Sequence, residues 1–435
     1  MEENLCADEI QPERVTPFRR ILGPGFITGA ANDDPSSIAT FSQSGAQFGY
    51  QQLWISLFLY PLLTAVQELS ARIGAVTGKG ISSVVREHYG VKVLFPAVLL
   101  LCVANTINLG ADIGAIGEAT NLLVPLPPLS LTIAYGIVIL FLQIRVPYKG
   151  YARILKFLAL SLLAYPVTLF IVTRQWKELL YATFLPHIDF TFAFLFMIMA
   201  SVGTTISPYM FFWQASEEVE EEAAEGWPAR VGPCISRGLI RDIRVDTAVG
   251  MLLSQITFWS ITAVGASVFS RNGITTINTA AQAASALEPL VRSFPHSGFL
   301  AKSIFTVGIV GLGMLAVPIL AGSASYAMAE ACKCRVGLNL TLHEGKCFYS
   351  VIIVAVLLGS ALNIFRVNPI KALVFSSVVN GVCAVPLLYL LARIGRNRAI
   401  MGAHRSGWLS NLIVWIAFAS VSGATVAMFA SMAGP

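Results

Sequence analysis

Hydrophobic residues along this chain come in long runs divided by short polar stretches, and the runs are too long for strands or for the helices of a soluble core. A helix that spans a bilayer takes about 20 mostly apolar residues. Eleven stretches fit that description, centred near residues 31, 62, 107, 138, 162, 202, 257, 314, 356, 382 and 420. They predict an all-α polytopic membrane protein. A polar tail occupies residues 1–18, and residues 19–435 read as a single transmembrane domain, because the connections leave no room for a separate soluble one.

Two of these runs are broken by polar residues: Asn32-Asp33-Asp34-Pro35-Ser36-Ser37 in the first and Thr204-Thr205-Ile206-Ser207-Pro208-Tyr209 in the sixth. Charge and unwound backbone at membrane depth are costly unless they line a cavity. Each proline removes a backbone donor and disfavours helix at the residue before it. The predicted arrangement is therefore an inverted repeat of helices 1 to 5 (about 19–175) and 6 to 10 (about 188–395), with an extra helix 11 at about 407–433. A substrate site is then expected at the repeat interface near the midplane. Carbonyls freed near Asn32 and Asp33, and near Thr204 and Thr205, would face a bound cation there. The plainer alternative is a pair of proline kinks.

Composition agrees with the membrane reading: 55% of the 435 residues are hydrophobic and 12% charged, with a mean hydropathy of +0.70. Basic residues give the orientation. With the N-terminus inside, 22 of the 29 lysines and arginines fall on the cytoplasmic side and 7 outside, which puts the C-terminus outside and the chain in the cell membrane. The net charge of +5 then follows from topology, and no nucleic-acid partner is implied. No cleavable signal is evident. There is no nucleophile elbow, Walker loop or dinucleotide turn, so neither an enzyme nor a nucleotide-driven pump is expected, and no cofactor.

The residues resemble those of the NRAMP divalent metal transporters. Gly23-Pro24-Gly25-Phe26 leading to Asp34-Pro35-Ser36-Ser37-Ile38-Ala39-Thr40 is similar to that family's first helix with its Asp-Pro-Gly-Asn signature. Gln67-Glu68-Leu69-Ser70-Ala71-Arg72-Ile73-Gly74 with Val76-Thr77-Gly78-Lys79 is similar to its second helix almost residue by residue. The hydrophobic layout matches over essentially the whole chain. The resemblance implies a LeuT-like fold and alternating access.

Departures from the family pattern bear on the cargo. Asp34 matches the family aspartate, while Ser37 stands for its asparagine, Ser207 for its methionine and Tyr209 for its histidine. The thioether is gone, and a site of Asp34, Ser37, a carbonyl near Thr204 and Ser207 would be all oxygen, which suits magnesium, manganese or calcium. A branch of NRAMP-related proteins that carries magnesium also lacks that methionine. In the third helix the resemblance places Asn108 and Ala111 where the family has a proton-relaying Asp-x-x-Glu pair. Asp112 is a displaced relay candidate, sharing a helix face with Asn108; the alternative is a carboxylate satisfied in the bundle interior. Asp33, Tyr209 and Asn380 are accessory candidates, Asn380 equally well a helix-to-helix hydrogen-bonding residue.

Weaker signals were Glu217, Glu218, Glu220, Glu221, Glu222 and Glu225, read mainly as a solvated face, and Cys332, Cys334, His343 and Cys347, whose spacing is no recognised zinc pattern. Cys6, Cys102 and Cys383 imply no disulfide framework, and Asn339-Leu340-Thr341 lies on the predicted cytoplasmic side, away from glycosylation. The leading expectation is a transporter or facilitator of hard divalent cations with weak or no proton coupling. The alternatives are a proton-coupled manganese or iron importer, a small organic solute transporter of the same fold, and a non-transporting membrane sensor, which normally carries a large cytosolic domain.

Overall fold

The computed structural model describes residues 23–146, 163–224, 237–365 and 367–433, and their regular structure is helical. The polar tail at 1–18, Cys6, Glu225 and the first part of the run centred near 162 lie outside the described residues. The principal helices are α1 (Pro24–Ala31), α2 (Pro35–Phe48), α3 (Trp54–Thr77), α4 (Ile81–His88), α5 (Val91–Asn121) and α6 (Pro128–Arg145). They continue as α7 (Ala164–Val172), α8 (Phe192–Thr205), α9 (Pro208–Ala224), α10 (Arg237–Val268), α11 (Ser297–Ala331), α12 (Lys346–Leu362), α13 (Pro369–Arg396) and α14 (Trp408–Ala433).

Among the described residues, 8 helices are long and apolar enough to cross a membrane, or up to 9 if a pair bent by 105° between residues 35–52 and 54–77 counts as one span. The expected first span is divided into α1 and α2, each short by itself. The expected sixth is divided between α8 and α9.

Packing follows a crossed pattern. The first helix of the N-terminal half, α1 with α2, packs on α10, the second helix of the other half; in the C-terminal half, α9 packs on α3 and α8 mainly on α13. The third helices of the two halves, α5 and α11, pack on each other. Small residues make these approaches close. A Cβ on Gly29 would overlap the Gly250 backbone, and one on Gly203 would lie 2.5 Å from the Gly381 nitrogen, so backbones meet where side chains would hold them apart.

Polar groups at membrane depth are tied down between helices. The Asp246 carboxylate on α10 accepts from the backbone nitrogens of Gly23 (3.1 Å), Gly25 (2.7 Å) and Phe26 (3.3 Å), and so caps the start of α1. These amides have no partner within α1 itself, and a carboxylate is favoured at a helix N-terminus. Asp246→Ala leaves them unsatisfied. It is expected to destabilise the protein by about 1–3 kcal/mol, read as a lower melting temperature in detergent. On α3, Glu68 forms a buried pair with Arg72 at 3.1 Å and also reaches the largely exposed Arg244 at 3.4 Å, which gives the second-helix motif an ion-pair network.

Candidate metal site at the two helix breaks

The first break is built by Pro35. It is the first residue of α2, and it forces Asp34 into extended backbone (φ −66°, ψ 172°), from which the Asp34 side chain turns back to cap α2 by accepting from the Ser37 nitrogen at 2.8 Å. Pro35 also lacks the N–H that would have bonded the Ala31 carbonyl four residues earlier. Pro208 does the same in the second break: Ile206 leaves the helix (φ −102°, ψ 62°), α9 restarts at Pro208, and the Thr204 carbonyl loses its partner. The orphaned carbonyls are therefore those of Ala31 and Thr204, one on each broken helix.

Side chains gather on these groups. Asp34 Oδ1 accepts from Ser36 Oγ at 2.6 Å and from Ser37 Oγ at 3.0 Å, while its Oδ2 accepts from Asn108 Nδ2 on α5 at 3.1 Å. The Thr204 hydroxyl lies 3.1 Å from Ser36 Oγ and 2.8 Å from Ser37 Oγ, and so joins the second break to the first. Ser37 Oγ also reaches the Asn32 carbonyl at 2.7 Å. Asn108 is held in turn by Ser376 on α13, which donates to its Oδ1 at 2.8 Å. No lysine or arginine among the described residues pairs with Asp34, so its charge is met by neutral donors only.

The remaining candidates are dispersed around this core. Ser207 Oγ turns back along its own chain and donates to the carbonyls of Gly203 (2.7 Å) and Thr204 (2.9 Å). Its hydroxyl thus occupies the Thr204 carbonyl that Pro208 orphans. Tyr209 Oη donates to the Ala31 carbonyl at 3.5 Å and links the other orphan to the opposite broken helix. Asp33 faces away from Asp34, towards α10, where Ser254 Oγ donates to it at 3.0 Å. The Asn32 amide lies between that serine and the second break: with its nitrogen towards the Thr204 and Thr205 carbonyls, both at 3.2 Å, its oxygen lies 2.8 Å from Ser254 Oγ and shares that hydroxyl's single proton with Asp33.

Asp112 and Asn380 differ from the rest. Both are fully buried, and neither the two carboxyl oxygens of Asp112 nor the amide atoms of Asn380 make a hydrogen bond. Asp112 has the Ser36 backbone amide facing it and the charge of Asp34 nearby. Asn380 sits on α13 beside Gly381, at the close approach to Gly203.

Asp34, Ser37, Thr204 and Asn108 therefore come together and Tyr209 reaches across to the Ala31 carbonyl of the first break, whereas Ser207 bonds to the backbone just before it and Asp33 to α10. Two participants were not picked out from sequence. Ser36 bridges Asp34 and Thr204, and the Ala31 carbonyl rather than that of Asp33 is the one freed by Pro35; counting four residues back from each proline identifies both orphans. Among the described residues no three His, Cys, Asp or Glu side chains gather as a metal-holding group, at Cys332, Cys334, His343 and Cys347 or elsewhere. Any ion at the breaks would be held by one carboxylate and neutral oxygens.

Comparison with known proteins bears on the whole chain. A crystallised mutant of the Eremococcus coleocola manganese transporter superposes with a TM-score of 0.74 at 15% identity, covering 99% of this chain and 90% of the other. A nucleobase-cation-symport-1 family transporter in a closed conformation superposes at 0.58, also at 15% identity, over 97% and 92%. In sequence, the divalent metal cation transporter MntH of Bacillus subtilis is 24% identical over 91% of this chain and 88% of its own length. MntH of Ralstonia nicotianae is 25% identical over 94% and 90%. The family model described as natural resistance-associated macrophage protein-like matches residues 25–431, nearly the full chain, and the chain belongs to the Nramp family.

Proposed function

We propose that this protein carries divalent metal cations across the cell membrane by alternating access, with its N-terminus in the cytoplasm and its C-terminus outside. The observation that carries the reading is the Asp34 carboxylate, buried where two proline-broken helices meet, with hydroxyl, carbonyl and amide groups around it and no basic partner among the described residues. A fixed negative charge without a countercharge at membrane depth favours a cation over an organic anion. The names of the relatives, which specify divalent metal cations and manganese, support the same cargo class.

The ion is bound by Asp34, Ser37 and the carbonyl and hydroxyl of Thr204, with Ser36 as a further oxygen and water completing the shell. Ser207 holds the Thr204 carbonyl until an ion replaces its hydroxyl there. An all-oxygen shell of this kind suits harder ions, magnesium and manganese, over thioether-seeking metals. Enzymatic chemistry has no part in this function.

Coupling to protons is weak or absent, because Asn108 and Ala111 stand where the family has its relaying acids. A proton-coupled reading is favoured by one feature, the buried Asp112, whose carboxyl oxygens are left without hydrogen bonds. Ser207→Met tests the ligand assignment. It removes the hydroxyl from the Thr204 carbonyl and supplies a soft sulfur, and the expected result is a shift of about tenfold or more towards cadmium and manganese over magnesium in competitive uptake. An unchanged selectivity would remove Ser207 from the site.

A further inference from the structure

A cavity lies at the end of the bundle where α13 finishes. It has a volume of about 370 Å3 and is lined by Tyr89, Ala392, Arg393, Arg396, Asn397 and Trp415. Arg393 and Arg396 are three residues apart in the last turn of α13, so they project from the same side. Neither forms an ion pair or hydrogen bond with any other described residue. No acid lines the cavity. Attraction to the α13 C-terminus accounts for basic residues in that turn. It does not account for a cavity walled by aromatic rings in front of them.

The position along the membrane normal is marked by those rings. Tyr389, Trp415 and Phe418 form one cluster, with Tyr389–Trp415 and Trp415–Phe418 centroids 5.8 and 5.5 Å apart. Trp408, at the start of α14, is 77% exposed. Tryptophan and tyrosine collect at the headgroup level of a bilayer. Arg393 and Arg396 sit one and two turns beyond Tyr389 along α13, which puts them on the headgroup side of the ring cluster. The outer face of α14 there, Leu409, Leu412 and Ile416, is exposed and apolar, as a lipid-facing surface is.

We propose that this cavity binds the headgroup of an anionic phospholipid. Arginine forks match phosphate oxygens in pairs of hydrogen bonds, and the rings of Trp415 and Tyr89 pack on the glycerol backbone. The volume equals roughly a dozen waters, enough for a glycerophosphate and more than a bare phosphate fills. Two unpaired positive charges disfavour a choline headgroup, whose own cation would lie beside them. The proposal does not depend on the cargo or on the site at the breaks.

The test uses the full chain reconstituted into nanodiscs of phosphatidylglycerol and phosphatidylcholine in equal amounts, then extracted and analysed by native mass spectrometry. Wild-type protein is expected to retain phosphatidylglycerol preferentially, and Arg393→Gln with Arg396→Gln to lose that retention by tenfold or more. Arg398→Gln, at the same end but outside the cavity, should retain it. If the double variant does not fold, each single variant is expected to lose a measurable part of the retention. Equal retention by a folded double variant would overturn the proposal, as would equal retention of phosphatidylcholine. Displacement of the lipid by millimolar inorganic phosphate would also overturn it, in favour of a soluble anion site.

Discussion

Asp34→Ala abolishes uptake of every divalent cation in proteoliposomes while the protein still folds as a monodisperse species. Among the described residues the side chain is the only carboxylate hydrogen-bonded to the hydroxyls that join the two breaks: three donors from Ser36 and Ser37 converge on one of its oxygens and Asn108 holds the other. Losing an outer partner of a metal ligand typically costs about 10 to 100-fold in affinity, so loss of the charged ligand itself should exceed about 100-fold and reduce flux to background. Folding survives because alanine removes a buried carboxylate that no basic residue pairs with. The cost to folding is the α2 cap and the Ser36, Ser37 and Asn108 donors left without an acceptor, about 1–3 kcal/mol. The check is divalent-triggered fluorescence quenching in vesicles, beside a melting curve of the same preparation. Uptake within a few-fold of wild type would remove Asp34 from the pathway.

Gly203→Val has the opposite profile and damages the fold before the site. Gly203 is in the last turn of α8 before the second break, where a Cβ would overlap the Ser377 carbonyl and lie 2.7 Å from the Gly381 Cα. Those atoms are backbone and cannot move aside as a flexible side chain would. Overpacking a close interface costs about 1–3 kcal/mol, and a branched side chain against backbone belongs at the upper end. It would separate α8 from α13, draw Thr204 away from Ser36 and Ser37, and leave little folded protein. The expected readouts are a sharply reduced yield of monodisperse protein and a melting temperature well below wild type. A normal melting curve would show that the approach of α8 to α13 is looser than described.

The membrane class and both helix breaks were legible in the sequence because apolar run length and proline act locally. Pro35 and Pro208 end one helix and start another where short polar runs precede them, whereas Pro61, Pro96, Pro318 and Pro386 lie inside continuous helices. The individual bonds were less legible, because they depend on how two distant segments are juxtaposed. Ser207 falls where the sequence resemblance places a family ligand, yet its hydroxyl is short enough to fold back on the Gly203 and Thr204 carbonyls. Ser36 was passed over because a serine at the second position of a helix is ordinary. Only the approach of Thr204 from the other half of the chain gives it a role. Asp33 and Asp34 are adjacent and identical in type, and which of them faces the second break follows from the extended backbone that Pro35 imposes on Asp34. The close contacts of Gly29 with Gly250 and of Gly203 with Gly381 join residues about 200 positions apart, beyond the reach of any local pattern.

The central claim is that an all-oxygen site at Asp34 passes hard divalent cations without a stoichiometric proton. One measurement tests it most directly: fluxes of magnesium, manganese, calcium and cadmium into proteoliposomes containing the wild-type chain, with lumenal pH recorded in the same vesicles. The predicted result is entry of magnesium and manganese down their gradients with no lumenal acidification, and slower entry of cadmium. Divalent entry that always acidifies the lumen, or the absence of flux for all four ions in folded protein, would contradict it.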